Sequence, residues 1–230
     1  MIGWDFLVFW QIGEAVLRGL NPYAVEFSRY PPVTTLFFAV FALLPYLAAY
    51  AVWTGLSLVL YIDSLRRLGV GRWLPAWLAF TPALFNFLTG QIDILFLWLA
   101  LRLPAGGWKA VAAGALLTLK PQLAAVVLPW FLLRWLLKDR ALLLKGAGVT
   151  AGLHLLPLLL DGGIYAKWLG ALSGVSEMKV PLSSGLFSLA SLDVPLWALA
   201  VVGLALALWG LARDEPTSRA AQLFSFPLTI

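Results

Sequence analysis

The sequence predicts an all-α integral membrane protein, a polytopic bundle of about seven to eight transmembrane helices preceded by interfacial amphipathic helices. Hydrophobic residues make up 62% of the 230 residues and charged residues only 12%, whereas soluble domains carry about a quarter charged residues. The twelve tryptophans suit anchoring at membrane interfaces as well as packing. The net charge of +5 is spread over short connections, so the expected partner is the lipid bilayer and not nucleic acid.

The first predicted element is an amphipathic helix over residues 4–19 that lies at the membrane interface. Its polar face carries Gln11, Glu14 and Arg18, and Glu14 and Arg18 form a favourable i,i+4 pair. We interpret this pair as a solvated surface pair. Asp5 lies about 120–180° away from that face at about 100° per residue, so it is set apart from the solvated stripe.

The second predicted element covers residues 33–44, between Tyr30-Pro31-Pro32 and Pro45. Its 12 residues rise only roughly 18 Å, which is too short for a hydrocarbon core of about 30 Å. We therefore expect a half-inserted helix.

The remaining predicted elements are mostly apolar helices joined by short connections. The first full span covers residues 47–65, and four short helices follow at 73–88, 92–103, 108–119 and 123–137. A longer helix at 141–160 precedes an outer loop at 161–193, which holds an amphipathic piece at 165–172 and a segment at 183–192 that dips back into the membrane. Another span covers 194–212, and a further helix begins at Ala220. Helices this short avoid exposing backbone to lipid only by packing in a bundle or by ending in a recessed cavity.

Positive charge predicts the orientation of these helices. If the loop containing Asp5 is outside, eleven basic residues lie in inside connections and five in outside connections, which accounts for all 16. This distribution obeys the positive-inside rule, and it inverts if residues 33–44 span the membrane. The predicted location is the cell membrane, in a multi-pass arrangement with the polar loops on the outer face.

This orientation gathers the chemically useful side chains on the outer side. They are Asp5, Arg29, Tyr30, Gln91, Asp93, Lys120, His154, Ser183 and Ser184. A carboxylate at the interface would deprotonate an acceptor hydroxyl, and cations or amides would hold a phosphate leaving group. No metal is expected: the sequence has no cysteine and no paired metal-ligand motif.

Structural explanations compete with function at each of these positions. Asp5 could cap its helix, and Asp93 could simply stabilise a helix N-terminus. Lys120 lies in an apolar run, where a buried charge costs about 2.5–3.5 kcal/mol, although a snorkelling lysine would avoid that cost. His154 could be a hydrogen-bonded packing residue, and Arg29 could bind lipid headgroups.

Four motifs in order identify a resemblance. WDFLVFW with GEAVLRGLNPY and RYPPV, then Trp53, then TGQID, then the block at 113–122 ending in LLTLKPQ are similar to the polytopic glycosyltransferases of family 87. These are GT-C-fold enzymes that include polyprenyl-phosphate-mannose-dependent mannosyltransferases. The resemblance runs from residue 4 to about residue 135 and weakens afterwards.

The resemblance implies a GT-C-like fold and an inverting transfer that needs no cofactor. Asp5 matches the first-loop catalytic aspartate, while Tyr30-Pro31-Pro32, Gly90-Gln91 and Lys120-Pro121 match further family segments. The donor would be a polyprenyl-phosphate-linked mannose or similar hexose, and the acceptor a lipid or glycan hydroxyl. We infer from charge and position that Gln91 and Lys120 bind the donor phosphate. Asp93 stands where the family commonly has asparagine, so it would contact a sugar hydroxyl instead.

The predicted single domain over residues 1–230 then consists of an outer-face catalytic loop at 1–45 and a transmembrane bundle at 46–230. Because family members are much longer, we expect this chain to be a fragment or a reduced form. Two other functions stay open. A lipid or solute transporter or flippase would also use proline-broken short helices and intramembrane polar residues, and a non-catalytic truncated membrane protein would use neither the base nor the phosphate ligands.

Overall fold

The computed structural model describes residues 2–79, 81–125 and 127–173, together with Ala220. In these residues the regular structure is entirely helical, with eleven α-helices and three short 3₁₀ turns and no strand. The all-α prediction is therefore confirmed for this part of the chain. The elements predicted after residue 173 lie outside the described residues, apart from Ala220 itself.

The α-helices are α1 (Trp4–Leu17), α2 (Pro32–Ala42), α3 (Tyr46–Arg67), α4 (Leu74–Leu78), α5 (Thr81–Thr89), α6 (Asp93–Ala100), α7 (Gly107–Leu117), α8 (Pro121–Ala124), α9 (Val127–Lys138), α10 (Arg140–Leu160) and α11 (Ile164–Ser173). The 3₁₀ turns are Pro22–Ala24, Gly71–Trp73 and Leu103–Ala105.

Among the described residues, two helices are long and apolar enough to cross a membrane. They are α3, with 22 residues, and α10, with 21, which correspond to about 33 and 31 Å of helix. They coincide with the spans predicted at 47–65 and 141–160. By contrast α2 has 11 residues, about 17 Å, which falls short of a core of about 30 Å. An α-helical membrane protein with two candidate spans is therefore supported within the described residues.

Two of the predicted helices are interrupted, and both predictions of a continuous helix are wrong. The helix predicted at 73–88 is divided into α4 and α5, because a proline at position 82 has no N–H to donate to the carbonyl four residues earlier. The helix predicted at 123–137 is divided into α8 and α9, where Pro129 likewise cannot donate to the carbonyl of Ala125. At these two positions the helix is interrupted, whereas Pro157 lies inside the continuous helix α10.

The described helices belong to two compact units. The first contains residues 2–63, 73–95 and 151–173, and therefore α1, α2, α4, α5 and α11 with most of α3. The second contains residues 64–72 and 96–150, and therefore α7, α8 and α9. In the second unit α7 packs on α9 at Gly114, where an added Cβ would lie 3.3 Å from the ring of Trp135. The prediction of one domain over residues 1–230 stays a prediction.

In the first unit α1 packs against α2 through aromatic side chains and one close backbone contact. Phe6, Phe9 and Ile12 form a buried stripe on α1, and the ring of Phe9 stacks on that of Phe38 with centroids 4.3 Å apart. Gly13 lies at the contact, where an added Cβ would be 2.4 Å from the carbonyl oxygen of Phe38. The interaction of α1 with α2 therefore depends on the absence of a side chain at position 13.

We expect Gly13→Ala to destabilise the protein by about 1–3 kcal/mol, because the new methyl group would overpack a contact with backbone that cannot rotate away. Thermal unfolding in detergent measures this. Gly55→Ala is the matched control, since Gly55 is helical in α3 with nothing within 4 Å of an added Cβ; it should gain about 0.5–1 kcal/mol. Equal effects of the two substitutions would contradict the close contact.

Candidate functional site

A cavity of about 200 Å³ lies at the N-terminal end of α1. Its lining residues are Trp4, Asp5, Val8, Phe27 and Tyr30. Asp5 is the second residue of α1 and is half-buried in the cavity wall. The N-cap position is occupied by Gly3, and no side chain caps this helix. The alternative explanation, that Asp5 is the N-cap of this helix, is therefore wrong, and Asp5 lines a cavity instead.

The start of α1 is held in place by backbone hydrogen bonds and one buried side chain. The amide of Gly3 donates to the carbonyl of Leu88 at 2.7 Å, and the Tyr46 hydroxyl donates to the carbonyl of Gly3 at 3.0 Å. Phe6 is fully buried and contacts Gly90, where an added Cβ would lie 2.5 Å from the Phe6 Cβ. These contacts fix Asp5 beside the turn that follows α5.

Helix α3 holds the turn that follows α5 in place. The Tyr50 hydroxyl contacts the carbonyls of Phe87 at 2.8 Å and Leu88 at 3.0 Å. The buried Trp53 indole donates to the carbonyl of Gly90 at 3.0 Å, and Gly90 has φ 76°. The tryptophan and the Gly-Gln turn that the sequence singled out therefore meet directly, and α3 positions Gln91 and Asp93.

Gln91 and Asn86 present buried oxygen atoms at this turn. Oε1 of Gln91 and Oδ1 of Asn86 are buried and accept no hydrogen bond from the described parts of the chain. A buried polar group left in this way costs about 1–3 kcal/mol. Asp93, the first residue of α6, accepts from the Asn86 amide at 3.4 Å. Asn86 therefore connects the end of α5 with the start of α6 at this turn.

Tyr30 connects the first loop with this turn electrostatically. Its ring packs on Phe9 with centroids 4.9 Å apart, and its carbonyl accepts from the Tyr23 hydroxyl at 3.1 Å. Burial raises the pKa of the Tyr30 hydroxyl well above its usual range, and the charges of Asp5 and Asp93 raise it further. Since both carboxylates act on one hydroxyl, the structure brings together three of the predicted site residues, and Tyr30 stays a neutral hydrogen-bond donor.

The raised pKa of Tyr30 can be tested by alkaline titration. Because the folded state holds the Tyr30 proton more tightly than the unfolded chain does, Tyr30 should lower folded stability as pH rises above about 10. We expect ultraviolet difference absorbance to show one late-titrating tyrosine fewer in Tyr30→Phe. In Asp5→Asn the pKa of Tyr30 should move down, because one negative charge is gone. An alkaline titration that Tyr30→Phe leaves unchanged would contradict this assignment.

Phe27 and Trp4 line the cavity but were missed by sequence reasoning. Phe27 has φ 62° and is the one non-glycine residue with positive φ among the described residues. That conformation costs about 1–2 kcal/mol for an L-residue, and such strain concentrates at functional sites. Phe27 and Trp4 are 44% and 48% exposed, so neither residue belongs to the hydrophobic core. No local pattern signals a left-handed residue in EFSRYPP.

We expect Phe27→Gly to separate stability from activity. Glycine relieves a strain of about 1–2 kcal/mol but gains about 0.5–1 kcal/mol of unfolded-state entropy, so stability should stay level or rise slightly. Activity should fall at least about tenfold, because a wall of the cavity is lost. Phe27→Ala is the control, since it removes the ring and keeps the strain. If Phe27→Gly melts below Phe27→Ala, Phe27 is not strained.

Arg29 lies next to Tyr30 in the same segment. Its guanidinium donates to the carbonyl of Ser28 at 2.9 Å, and its own carbonyl accepts from the Trp168 indole of α11 at 3.1 Å. The backbone of residues 29–30 is therefore held by Trp168 and by the Tyr23 hydroxyl, which fixes the direction in which both side chains leave the chain.

His154 and Lys120 are not among the residues that line the cavity. The Tyr165 hydroxyl donates to the His154 carbonyl at 2.7 Å and lies 3.1 Å from His154 Nδ1, the arrangement of a hydrogen-bonded packing residue. Lys120 directly precedes α8 in the second unit, and Ser184 lies outside the described residues. Substrate binding by these three stays a prediction. In the described ranges no group of three His, Asp or Glu side chains could hold a metal ion.

Comparison with known proteins gives one match. The family model described as glycosyltransferase family 87 is similar to residues 27–228. This range includes Tyr30, Gln91 and Asp93 but begins after Asp5. Neither the curated proteins nor the solved structures contain a match. The importance of Asp5 therefore rests on its place in the cavity and on its neighbours.

Proposed function

Because the chain belongs to glycosyltransferase family 87, we propose that it transfers mannose or a similar hexose from a polyprenyl phosphate to a lipid or glycan hydroxyl at the outer membrane face. The family indicates glycosyl transfer rather than transport. The observation that carries the finer proposal is the cavity at the start of α1, where Asp5 and Tyr30 line one space and Asp93 acts on the same tyrosine.

The proposed step is a direct displacement with Asp5 as general base. The acceptor hydroxyl gives its proton to the Asp5 carboxylate while its oxygen bonds to the anomeric carbon of the donor. The bond from that carbon to the phosphate oxygen breaks with its electron pair, and polyprenyl phosphate leaves from the opposite face. The configuration of the anomeric carbon is therefore inverted. A positioned general base contributes about 10²–10⁴-fold to such a reaction.

The neighbouring residues have complementary roles in this proposal. The neutral Tyr30 hydroxyl can donate to a phosphate or sugar oxygen, and the Gln91 amide nitrogen can donate to the donor phosphate, whereas the Asp93 carboxylate suits a sugar hydroxyl. Arg29, beside Tyr30, would offset charge on the departing phosphate. Lys120 is assigned the same role from its charge and position in the sequence, and His154 and Ser184 complete the proposed substrate-binding set.

The proposed setting is a GT-C-like bundle of about seven to eight spans, with the cavity facing outward. The excess of basic residues in the inside connections, eleven against five, supports this orientation. The length of α2, 11 residues, supports it too, because the charge bias depends on residues 33–44 not crossing the membrane.

A direct test uses purified protein in proteoliposomes with radiolabelled mannosyl-phosphoryl-polyprenol as donor and octyl α-mannoside as acceptor. We expect labelled product from this donor and none from a nucleotide-linked mannose, with the anomeric configuration inverted by NMR. Transfer from the nucleotide sugar, or retention of configuration, would overturn the proposed reaction.

A further inference from the structure

A second cavity, of about 340 Å³, lies along the same helix. Its lining residues are Gln11, Glu14, Ala15, Arg18, Leu20, Val25 and Glu26. The ion pair between Glu14 and Arg18, predicted from the sequence, is present with a distance of 2.7 Å. Arg18 is exposed, as expected for a solvated surface pair, and both side chains also line a space large enough for a ligand.

The two cavities lie on one stripe of α1. The first is lined by Trp4 and Val8 and the second by Gln11, Ala15 and Arg18. These positions are separated by four, three, four and three residues, which is the spacing of one helix face. Consecutive parts of this face therefore take part in both linings, and Asp5 and Glu14 flank it on opposite sides at about 100° per residue.

The opposite wall is also continuous. Val25 and Glu26 line the second cavity, and Phe27 and Tyr30 line the first. Both cavities are therefore bordered by the same two segments, α1 and residues 20–30, and we infer that they act as one groove. Asp5 and Arg18 are 13 positions apart in the sequence, about 20 Å of helix. The first cavity alone is smaller than the range of about 300–1,000 Å³ that is usual for ligand pockets, and the two together fall within it.

The charges along this groove favour a neutral ligand. The one cation in the lining of the second cavity, Arg18, is paired with Glu14, and Glu26 adds a further carboxylate. The lining residues of the second cavity therefore carry a net negative charge, which disfavours the binding of a phosphate. Carboxylates accept hydrogen bonds from hydroxyls, while the Gln11 amide and the Arg18 guanidinium donate to them. This donor and acceptor set suits a polyhydroxyl ligand without charge.

We propose that the groove defined by Gln11, Glu14, Arg18 and Glu26 is an extended acceptor subsite for a neutral glycan of two or more sugar units. The inference rests on the proposed function, because it places the reacting hydroxyl at Asp5 and the preceding sugars along α1. It assigns the polar face of α1 to the acceptor and leaves the donor phosphate to other residues.

The test measures binding without a donor, by calorimetry with methyl glycosides of one sugar and of three sugars, in a mannose and a glucose series. Wild-type protein should bind the trisaccharide at least about tenfold more tightly than the monosaccharide in one series. In Gln11→Ala/Glu26→Ala and in Glu14→Ala/Arg18→Ala this ratio should fall to about one. The second variant removes both partners of the pair, so no uncompensated charge is left.

Asp161→Ala/Lys167→Ala is the matched control, because this pair is also a salt bridge with exposed side chains and lines neither cavity; it should keep the wild-type ratio. A wild-type ratio of one in both series, or a ratio that the groove variants keep, overturns the inference. Length-dependent binding supports the subsite even if no donor sugar is transferred, a result that would overturn only the proposed reaction.

Discussion

Asp5→Asn is expected to lower kcat by about 10²–10⁴-fold, the contribution of a positioned general base. Asparagine has nearly the same size as aspartate, but its amide cannot accept the proton of the acceptor hydroxyl. The fold should persist, because the start of α1 is held by Gly3 and Phe6 rather than by the carboxylate. Transfer at saturating donor and thermal unfolding, measured on the same preparation, separate the two effects.

Asp161→Asn is the control for this experiment. The Asp161 carboxylate is bonded to Lys167 and to the amide of Gly163, and it does not line either cavity. It should therefore keep wild-type transfer. Normal turnover in Asp5→Asn would rule out Asp5 as the base.

The largest expected effect on stability belongs to Gly90→Ala. Two costs combine at this position. The backbone has φ 76°, which costs an L-residue about 1–2 kcal/mol, and the new Cβ would lie 2.5 Å from that of Phe6, where overpacking adds about 1–3 kcal/mol. We expect a loss of about 2–5 kcal/mol in thermal or denaturant unfolding. Activity should fall as well, because Phe6 is the neighbour of Asp5.

Gly69→Ala distinguishes the two costs. Gly69 has nearly the same backbone conformation, φ 73°, but nothing lies within 4 Å of its added Cβ. The Gly69→Ala variant should therefore lose only the conformational part of the stability, about 1–2 kcal/mol, and keep its activity. If Gly90→Ala is no less stable than Gly69→Ala, the contact between the turn and Phe6 does not contribute.

The limits of α1, α3 and α11 were predictable because polar, glycine or proline residues lie next to them in the sequence. The prediction for α3 lies within two residues of the structure, since Pro45 and the arginines at 66 and 67 mark its limits. The division into α4 and α5 was not predictable, because a proline within an apolar run is compatible with a kink as well as with a break. Tertiary packing decides between the two.

Part of the site was also predictable. Asp5, Tyr30 and Asp93 were grouped by the predicted orientation, and the structure brings them into one electrostatic neighbourhood. The contact that fixes Asp5, from the Gly3 amide to the Leu88 carbonyl, joins two backbones and leaves no trace in side-chain patterns. The positive φ of Phe27 was not predictable for a similar reason, because it depends on the path of the chain and not on the residue type.

The hydrogen bond from Trp168 to the Arg29 carbonyl spans 139 residues of sequence. During synthesis the amino-terminal loop emerges first. The Arg29 carbonyl can accept the hydrogen bond from Trp168 only after α10 and α11 have been made. Long-range closure of this kind comes late in assembly. Residues 18–31 are therefore translated early, whereas the contact that holds the Arg29 carbonyl forms only after α11 has been synthesised.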